Sequence, residues 1–165
     1  MNTPAIPNFS FLIPNSFTLA TAESCTGGRI ASIITSQAGA SAYFKGGIVA
    51  YSNEAKTACL GVDPAIIAAH GAVSTEVTEQ MAQGARRVFN ADYAIAVSGI
   101  AGPDGGTPAK PVGTICFSLA TPTSTHSERL LLPHDRAGNI EAAARHALKL
   151  LVDRVDLVDK VDETT

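Results

Sequence analysis

Three neighbouring side chains that could attack or orient a substrate lie in the segment AESCTGG, at Ser24, Cys25 and Thr26. The segment joins a short apolar run to a stretch with helical spacing, which predicts a strand-to-helix turn. Backbone N–H groups at the start of a helix can hold an anion or a developing oxyanion, and the glycines that follow allow a ligand to approach closely. The alternative is that Ser24 or Thr26 only caps the helix.

A second turn of the same kind, AYSNEAK, carries Tyr51 and Lys56. A lysine is poorly placed in the first turn of a helix, because the helix dipole favours negative charge there. The mismatch is a hint of function for Lys56, although composition alone favours an ordinary surface lysine.

Other reactive residue types give weaker signals. Cys25 has no discernible histidine partner, and a lone cysteine beside small residues is more often a buried apolar group. The four histidines lack the spacing of metal ligands, so we predict no metal site.

A long segment rich in glycine and proline, SGIAGPDGGTPAKPVGT, follows an apolar run. Loops of this length in compact domains usually bind something. The spacing of a Walker loop is absent, and no GxGxxG pattern follows the first strand, which disfavours an NTPase or a Rossmann dehydrogenase.

The elements that must position these segments alternate along the chain. Apolar runs predict strands in TLATAE, FKGGIVAYS and DYAIAVSGI, and a hairpin formed by GTICFSLATPT and STHSERLLLP. Helical spacing predicts five helices, one of which begins at SNEAK with Ser52 or Asn53 as its cap. This order predicts an α/β fold, a three-layer α/β/α sandwich with a mixed, mostly parallel sheet of about five strands. In such folds ligands collect at the carboxyl ends of the strands, where ESCTGG and SGIAGPDGG lie.

Composition favours one globular domain, because 165 residues with 45% apolar and 16% charged side chains can bury a substantial core. We expect residues 1–17, which prolines interrupt, to be an irregular lead-in. Residues 18–157 should form the domain, and residues 158–165 a frayed tail.

Charge and hydropathy limit the partners. A net charge of −3 argues against nucleic acid, and no segment approaches the roughly 20 apolar residues of a membrane span. Three cysteines without a CxxC pair, and an N-terminus without a signal-peptide pattern, indicate a cytoplasmic protein. The apolar helix face in residues 142–151 could serve a homo-oligomer as readily as the core.

Five motifs occur together in order: AESCTGG, FKGGIVAYSNEAK, HGAVS, VSGIAGPDGG and KPVGT. With them the chain closely resembles the CinA C-terminal domain family of nicotinamide-nucleotide amidases, from about residue 18 to residue 152. The resemblance implies hydrolysis of nicotinamide mononucleotide to nicotinic acid mononucleotide and ammonia, without metal or organic cofactor. The partner would then be a small nucleotide substrate.

The resemblance also implies a catalytic set of Ser24, Tyr51 and Lys56, with Ser41 of GASAYF as the reserve nucleophile. In this mechanism a neutral Lys56 takes the proton of the serine and returns it to the leaving ammonia. The motifs further assign substrate binding to Glu23, Thr26, Gly27, Gly28, Ser98, Gly99, Gly102, Gly105 and Gly106. A structural hydrogen bond to the glycine turn is the alternative role of Glu23.

Two features depart from the family pattern. The segment NTPAIPNFSFLIPNSF is broken by prolines where relatives have an amphipathic helix, and LPHDRAGNIEAAA offers only Arg136 where a further arginine often follows. A small amidase for another carboxamide, or a nucleotide-binding module without turnover, are the rival functions.

Overall fold

The computed structural model describes residues 5–162 and contains one five-stranded sheet between two layers of helices. The strands are β1 (Leu19–Glu23), β2 (Phe44–Val49), β3 (Tyr93–Gly99), β4 (Thr114–Ala120) and β5 (Thr125–Leu131). The helices are α1 (Arg29–Thr35), α2 (Asn53–Leu60), α3 (Pro64–His70), α4 (Thr75–Phe89) and α5 (Arg136–Asp162). No helix in the described range combines the length and apolarity needed to cross a membrane.

The strand order is β2-β1-β3-β4-β5. Strand β1 pairs in parallel with both β2 and β3, whereas β4 pairs antiparallel with β3 and with β5. The predicted α/β/α sandwich with a mixed sheet is therefore confirmed. Because the chain leaves β1 toward β2 and later enters β3 on the other side, the carboxyl end of β1 is a topological switch point, where α/β folds bind ligands.

Alternation of large and small residues divides the core into two parts. On β3, Ile95 and Val97 face a cluster with α1 and α5, whereas Ala94 and Ala96 face α4. The small side chains allow α4 to lie close to the sheet. On its other side α4 approaches the end of α2 so closely that a Cβ at Gly84 would lie 2.0 Å from the carbonyl oxygen of Leu60.

The start of the chain contributes to the core despite its prolines. One 3-10 turn, Ser10–Leu12, interrupts an irregular segment, and Phe9 and Leu12 are fully buried in the cluster with α1 and α5. These two side chains pack on the sheet face that carries α1 and α5. From its prolines the segment was expected to be only an irregular lead-in, without this contribution to the core.

The apolar face of α5 packs inward. Ala143, Ala147, Leu148 and Leu151 are fully buried in the chain itself. The face that could have served a homo-oligomer is therefore used by the core, and it carries no argument for a dimer.

Candidate active site

A cavity of about 200 Å³ opens at the carboxyl ends of β1 and β3, beneath the start of α2 and the HGAVS segment. It lies at the switch point of the sheet, where the sequence placed ESCTGG. The residues that line it are Ser24, Cys25, Tyr51, Asn53, Lys56, Ala72, Val73, Ser98, Gly99, Ala101 and Arg136.

Ser24 and Lys56 meet inside this cavity. Lys56 Nζ lies 3.0 Å from Ser24 Oγ, and it donates to the carbonyl oxygens of Ala50 at 3.0 Å and Tyr51 at 3.2 Å. Carbonyl oxygens can only accept, so these two bonds use two N–H groups of the amine. When Lys56 is neutral, its lone pair is therefore directed at the hydroxyl of Ser24.

Burial makes the neutral form of Lys56 accessible. The side chain is 1% exposed, and desolvation lowers its pKa because it disfavours the charged ammonium. Within the described part of the chain Lys56 forms no salt bridge that would restore the charge. Its place in the first turns of α2 acts in the same direction, since the helix dipole is positive there.

Cys25 lines the same cavity but is poorly suited to attack. Burial raises the pKa of its thiol to about 12. A thiol attacks as the thiolate, which is scarce at neutral pH when the pKa is that high. Ser24, which touches the lysine, is the better nucleophile.

The sequence profile of the CinA C-terminal domain matches residues 8–155 of this chain, including every residue of the cavity. The chain belongs to the CinA C-terminal domain family. It is similar to the CinA-like protein of Mycolicibacterium gilvum, with 56% identity over 135 residues that cover 81% of this chain and 32% of the relative. It is also similar to the CinA-like protein of Shewanella piezotolerans, with 48% identity over 151 residues covering 92% of this chain and 35% of the relative.

Solved structures of the CinA superfamily share the fold. The competence damage-inducible protein A of Klebsiella pneumoniae superposes with a TM-score of 0.86 at 38% identity, covering 88% of this chain and 91% of that one. The competence/damage inducible protein of Agrobacterium tumefaciens gives a TM-score of 0.85 at 38% identity, covering 87% and 88%. This CinA domain spans about a third of the length of the curated relatives named above.

Glu23 of this CinA domain builds the turn instead of lining the cavity. One carboxylate oxygen accepts from Thr26 Oγ1 at 2.7 Å and from the N–H of Ile30 at 2.9 Å, and the other accepts from Ala31 N–H at 3.0 Å. The residue at the N-cap of α1 is Gly28, which has no side chain to do this. The Glu23 and Thr26 side chains thus have a structural role here, the alternative noted for Glu23, and their substrate-binding roles stay predictions.

The glycines of that turn also have backbone roles. Gly27 and Gly28 adopt left-handed conformations, with φ of 58° and 98°, which residues with a Cβ rarely occupy. The N–H of Gly27 donates to the carbonyl oxygen of Ser24, so it is not free for a ligand. Within residues 5–162 the N–H groups of Cys25, Thr26 and Gly28 make no hydrogen bond and are available to an oxyanion.

Tyr51 lies at the rim of the cavity and faces Arg136. Its side chain is exposed, and its hydroxyl accepts from Arg136 at 3.2 Å. A second guanidinium nitrogen donates to the carbonyl oxygen of Gly102 at 2.7 Å. The hydroxyl of Tyr51, a member of the catalytic set that the resemblance implies, thus contacts a cation at the entrance, and only the backbone carbonyl of Tyr51 touches Lys56.

Ser41 lies at the opposite end of the strands from Ser24, where β1 and β2 begin. It belongs to the 3-10 turn Ala40–Ala42, which precedes β2, and the first residue of β2 pairs with Leu19 at the start of β1. A strand of five residues spans roughly 17 Å, and Ser24 follows the far end of β1. The structure therefore separates Ser41 from Lys56, against its assignment as reserve nucleophile.

The residues at the end of β3 and in the loop after it have two different roles. Ser98 and Gly99 line the cavity, whereas Gly102, Gly105 and Gly106 lie outside its wall. A Cβ at Gly102 would lie 2.6 Å from Val112, and one at Gly106 would lie 2.6 Å from the Val112 backbone nitrogen. These glycines, with Gly105 at a φ of 91°, let the loop fold back on itself, and their contact with substrate stays a prediction.

Sequence reasoning missed several wall residues. Arg136 was noted only as the single arginine of its segment, and Asn53 only as a candidate cap; Ala72 and Val73 contribute from the HGAVS motif. Buried Asn139 joins the start of α5 to the loop after β3, because its side chain bonds the backbone of Ala101 and His134. The available signals were the HGAVS motif itself and the single arginine of LPHDR. In the described residues no cluster of three or more His, Cys, Asp or Glu could hold a metal.

Proposed function

We propose that this CinA domain hydrolyses the carboxamide of nicotinamide mononucleotide to nicotinic acid mononucleotide and ammonia. The observation that carries the chemistry is the contact of 3.0 Å between Ser24 Oγ and the buried amine of Lys56. The five motifs of the family resemblance support the choice of substrate. The geometry alone supports the wider class of acyl transfer from a small amide.

The reaction proceeds in two halves on these residues. Neutral Lys56 takes the proton of Ser24 as the serine oxygen bonds to the carboxamide carbon. The resulting ammonium of Lys56 then gives that proton to the leaving nitrogen, the C–N bond breaks and ammonia departs, leaving an ester on Ser24. In the second half water attacks the ester, Lys56 accepts its proton, and the proton returns to Ser24 as the acid leaves.

Charges around the cavity suit this substrate. Arg136 is the cation of the wall, and its remaining N–H groups can meet the phosphate of a nucleotide. The wall residues include no carboxylate, so the positive pyridinium ring would disfavour a second positive charge on Lys56. Bound substrate would therefore lower the pKa of Lys56 further and favour its basic form.

The oxyanion has donors at the start of α1. The unpaired N–H groups of Cys25, Thr26 and Gly28 belong to the turn that carries Ser24. Removal of one such donor in a hydrolase typically costs about 3 kcal/mol of transition-state stabilisation. The Glu23 carboxylate maintains this turn, and so contributes to the reaction through the backbone.

The test is ammonia release from nicotinamide mononucleotide, nicotinamide and glutamine, measured side by side on the purified chain. We expect nicotinamide mononucleotide to be preferred, because the other two lack the phosphate that Arg136 can bind. Preference for nicotinamide or glutamine would replace the substrate assignment with another small carboxamide. Tight binding of the nucleotide without any ammonia would favour a binding module.

A further inference from the structure

Asn53 stands at the mouth of the catalytic cavity. It is the first residue of α2, and Lys56 follows three positions later, so both side chains lie on the same face of the helix. Asn53 also lines the neighbouring groove between α2 and α3. Its side chain therefore borders both the cavity and this groove.

Helix capping does not occupy the side chain of Asn53. The sequence left Ser52 and Asn53 as candidate caps, and in the structure Ser52 Oγ accepts from Ala55 N–H at 3.1 Å. Among the hydrogen bonds of the described residues, none involves the Asn53 amide. An asparagine amide has an NH₂ donor and a carbonyl acceptor, and both remain available here.

The other polar side chains of the wall already have protein partners. Ser24 Oγ contacts Lys56 at 3.0 Å, and Ser98 Oγ donates to the carbonyl oxygen of Ala72 at 2.8 Å. The hydroxyl of Tyr51 accepts from Arg136. Asn53 therefore differs from these groups in having both a donor and an acceptor for a ligand.

We infer that Asn53 is a substrate-positioning residue that pairs with the reacting carboxamide, an inference that rests on the proposed function. Its Nδ2 donates to the carbonyl oxygen of the substrate, and its Oδ1 accepts from the substrate NH₂. The two amides would lie in one plane, which leaves the face of the carbonyl open to Ser24. The pair would hold the carbon in register for attack.

The same pairing distinguishes the substrate from the product. The product carboxylate has two acceptor oxygens and no donor, so one of them would face Oδ1 without a hydrogen bond. Two acceptor oxygens placed face to face without a hydrogen bond cost affinity. Asn53 should thus favour binding of the carboxamide and release of the acid.

The experiment measures binding in a Ser24→Ala background, so that no turnover occurs. Calorimetry gives the Kd of nicotinamide mononucleotide and of nicotinic acid mononucleotide, with and without Asn53→Ala. We expect Asn53→Ala to weaken binding of nicotinamide mononucleotide by about tenfold and binding of nicotinic acid mononucleotide by less than about threefold. Glu54→Gln, at the next position of α2 and outside the cavity wall, is the matched control and should change neither.

Equal weakening of both ligands, or no weakening of the carboxamide, would overturn the inference while the proposed function stands. If the Ser24→Ala protein binds neither nucleotide and the parent releases no ammonia from the carboxamide, the proposed function fails and the inference falls with it. Because Asn53 is exposed, its truncation should leave the unfolding transition unchanged, which circular dichroism verifies.

Discussion

Ser24 and Lys56 are 32 positions apart in the sequence, yet their side chains meet at 3.0 Å. Each follows the carboxyl end of one strand of the parallel pair β1 and β2, and Glu23 pairs with Val49 in that register. Because the two strands are parallel, the hydroxyl and the amine lie at the same end of the sheet, beside the carboxyl ends of β1 and β2.

The first prediction concerns the nucleophile. Ser24→Ala should lower turnover of nicotinamide mononucleotide by more than about 1000-fold, because no other hydroxyl of the described chain contacts Lys56. Ser41→Ala is the control and should retain near-normal activity, since Ser41 lies at the opposite end of the strands. A dead Ser41→Ala protein with an active Ser24→Ala protein would reverse the roles.

The second prediction concerns the base. The pKa of Lys56 is lowered by burial, so the rate should rise with pH through an apparent pKa below the ordinary lysine value of about 10.4. Lys56→Arg should lose at least about 100-fold in rate, because arginine keeps the charge but cannot release its proton. Retention of most activity by Lys56→Arg would mean that position 56 only anchors charge.

The third prediction concerns stability against pH. Since the native pKa of Lys56 is lowered, between that pKa and about 10.4 the unfolded chain binds more protons at this residue than the native protein. The contribution of Lys56 to the free energy of unfolding therefore rises with pH across this window, and below it the cost of burying the charge is fully present.

Lys56→Met removes that charge, so its stability relative to the parent should be highest at the acid end and decline toward pH 10.4, roughly the ordinary value. Urea denaturation of both proteins at a series of pH values gives this difference. A difference that stays constant with pH would show that the pKa of Lys56 is not lowered in the native state.

The fourth prediction concerns the turn beneath Ser24. Glu23→Gln keeps the shape of the side chain but weakens its bonds to Thr26, Ile30 and Ala31. We expect a loss of about 1–2 kcal/mol in the free energy of unfolding, together with slower turnover. Glu54→Gln removes an exposed carboxylate and should change stability much less; equal losses would refute the role of Glu23 as the cap of α1.

The fifth prediction concerns a buried hydroxyl. Thr21 is fully buried, and its Oγ1 is the one buried side-chain polar atom without a hydrogen bond in the described part of the chain. Thr21→Val replaces this hydroxyl by a methyl of the same shape and should raise the free energy of unfolding by about 1 kcal/mol. Thr78→Val, where the hydroxyl has partners that include Ser118 at 2.7 Å, should lower it.

The sequence by itself determined the elements and the fold class. Apolar runs, cap residues such as Asp63 and Ser74, and the loop glycines are local signals, and the observed strands and helices follow them. For α2 the sequence left the cap open between Ser52 and Asn53. The two turns with nucleophile and lysine were also visible, because each combines a strand end with a helix start.

Only the tertiary structure decided which of these residues meet. Strand order and register arise from packing between distant segments, so the sequence left Ser24 and Ser41 as alternative nucleophiles. The sheet places the two serines at opposite ends of its parallel strands. Likewise, the sequence left Glu23 as either a substrate ligand or a structural group. Only the folded chain brings the N–H groups of Ile30 and Ala31 to its carboxylate. The depressed pKa of Lys56 also depends on tertiary structure, since desolvation requires the core around it to form.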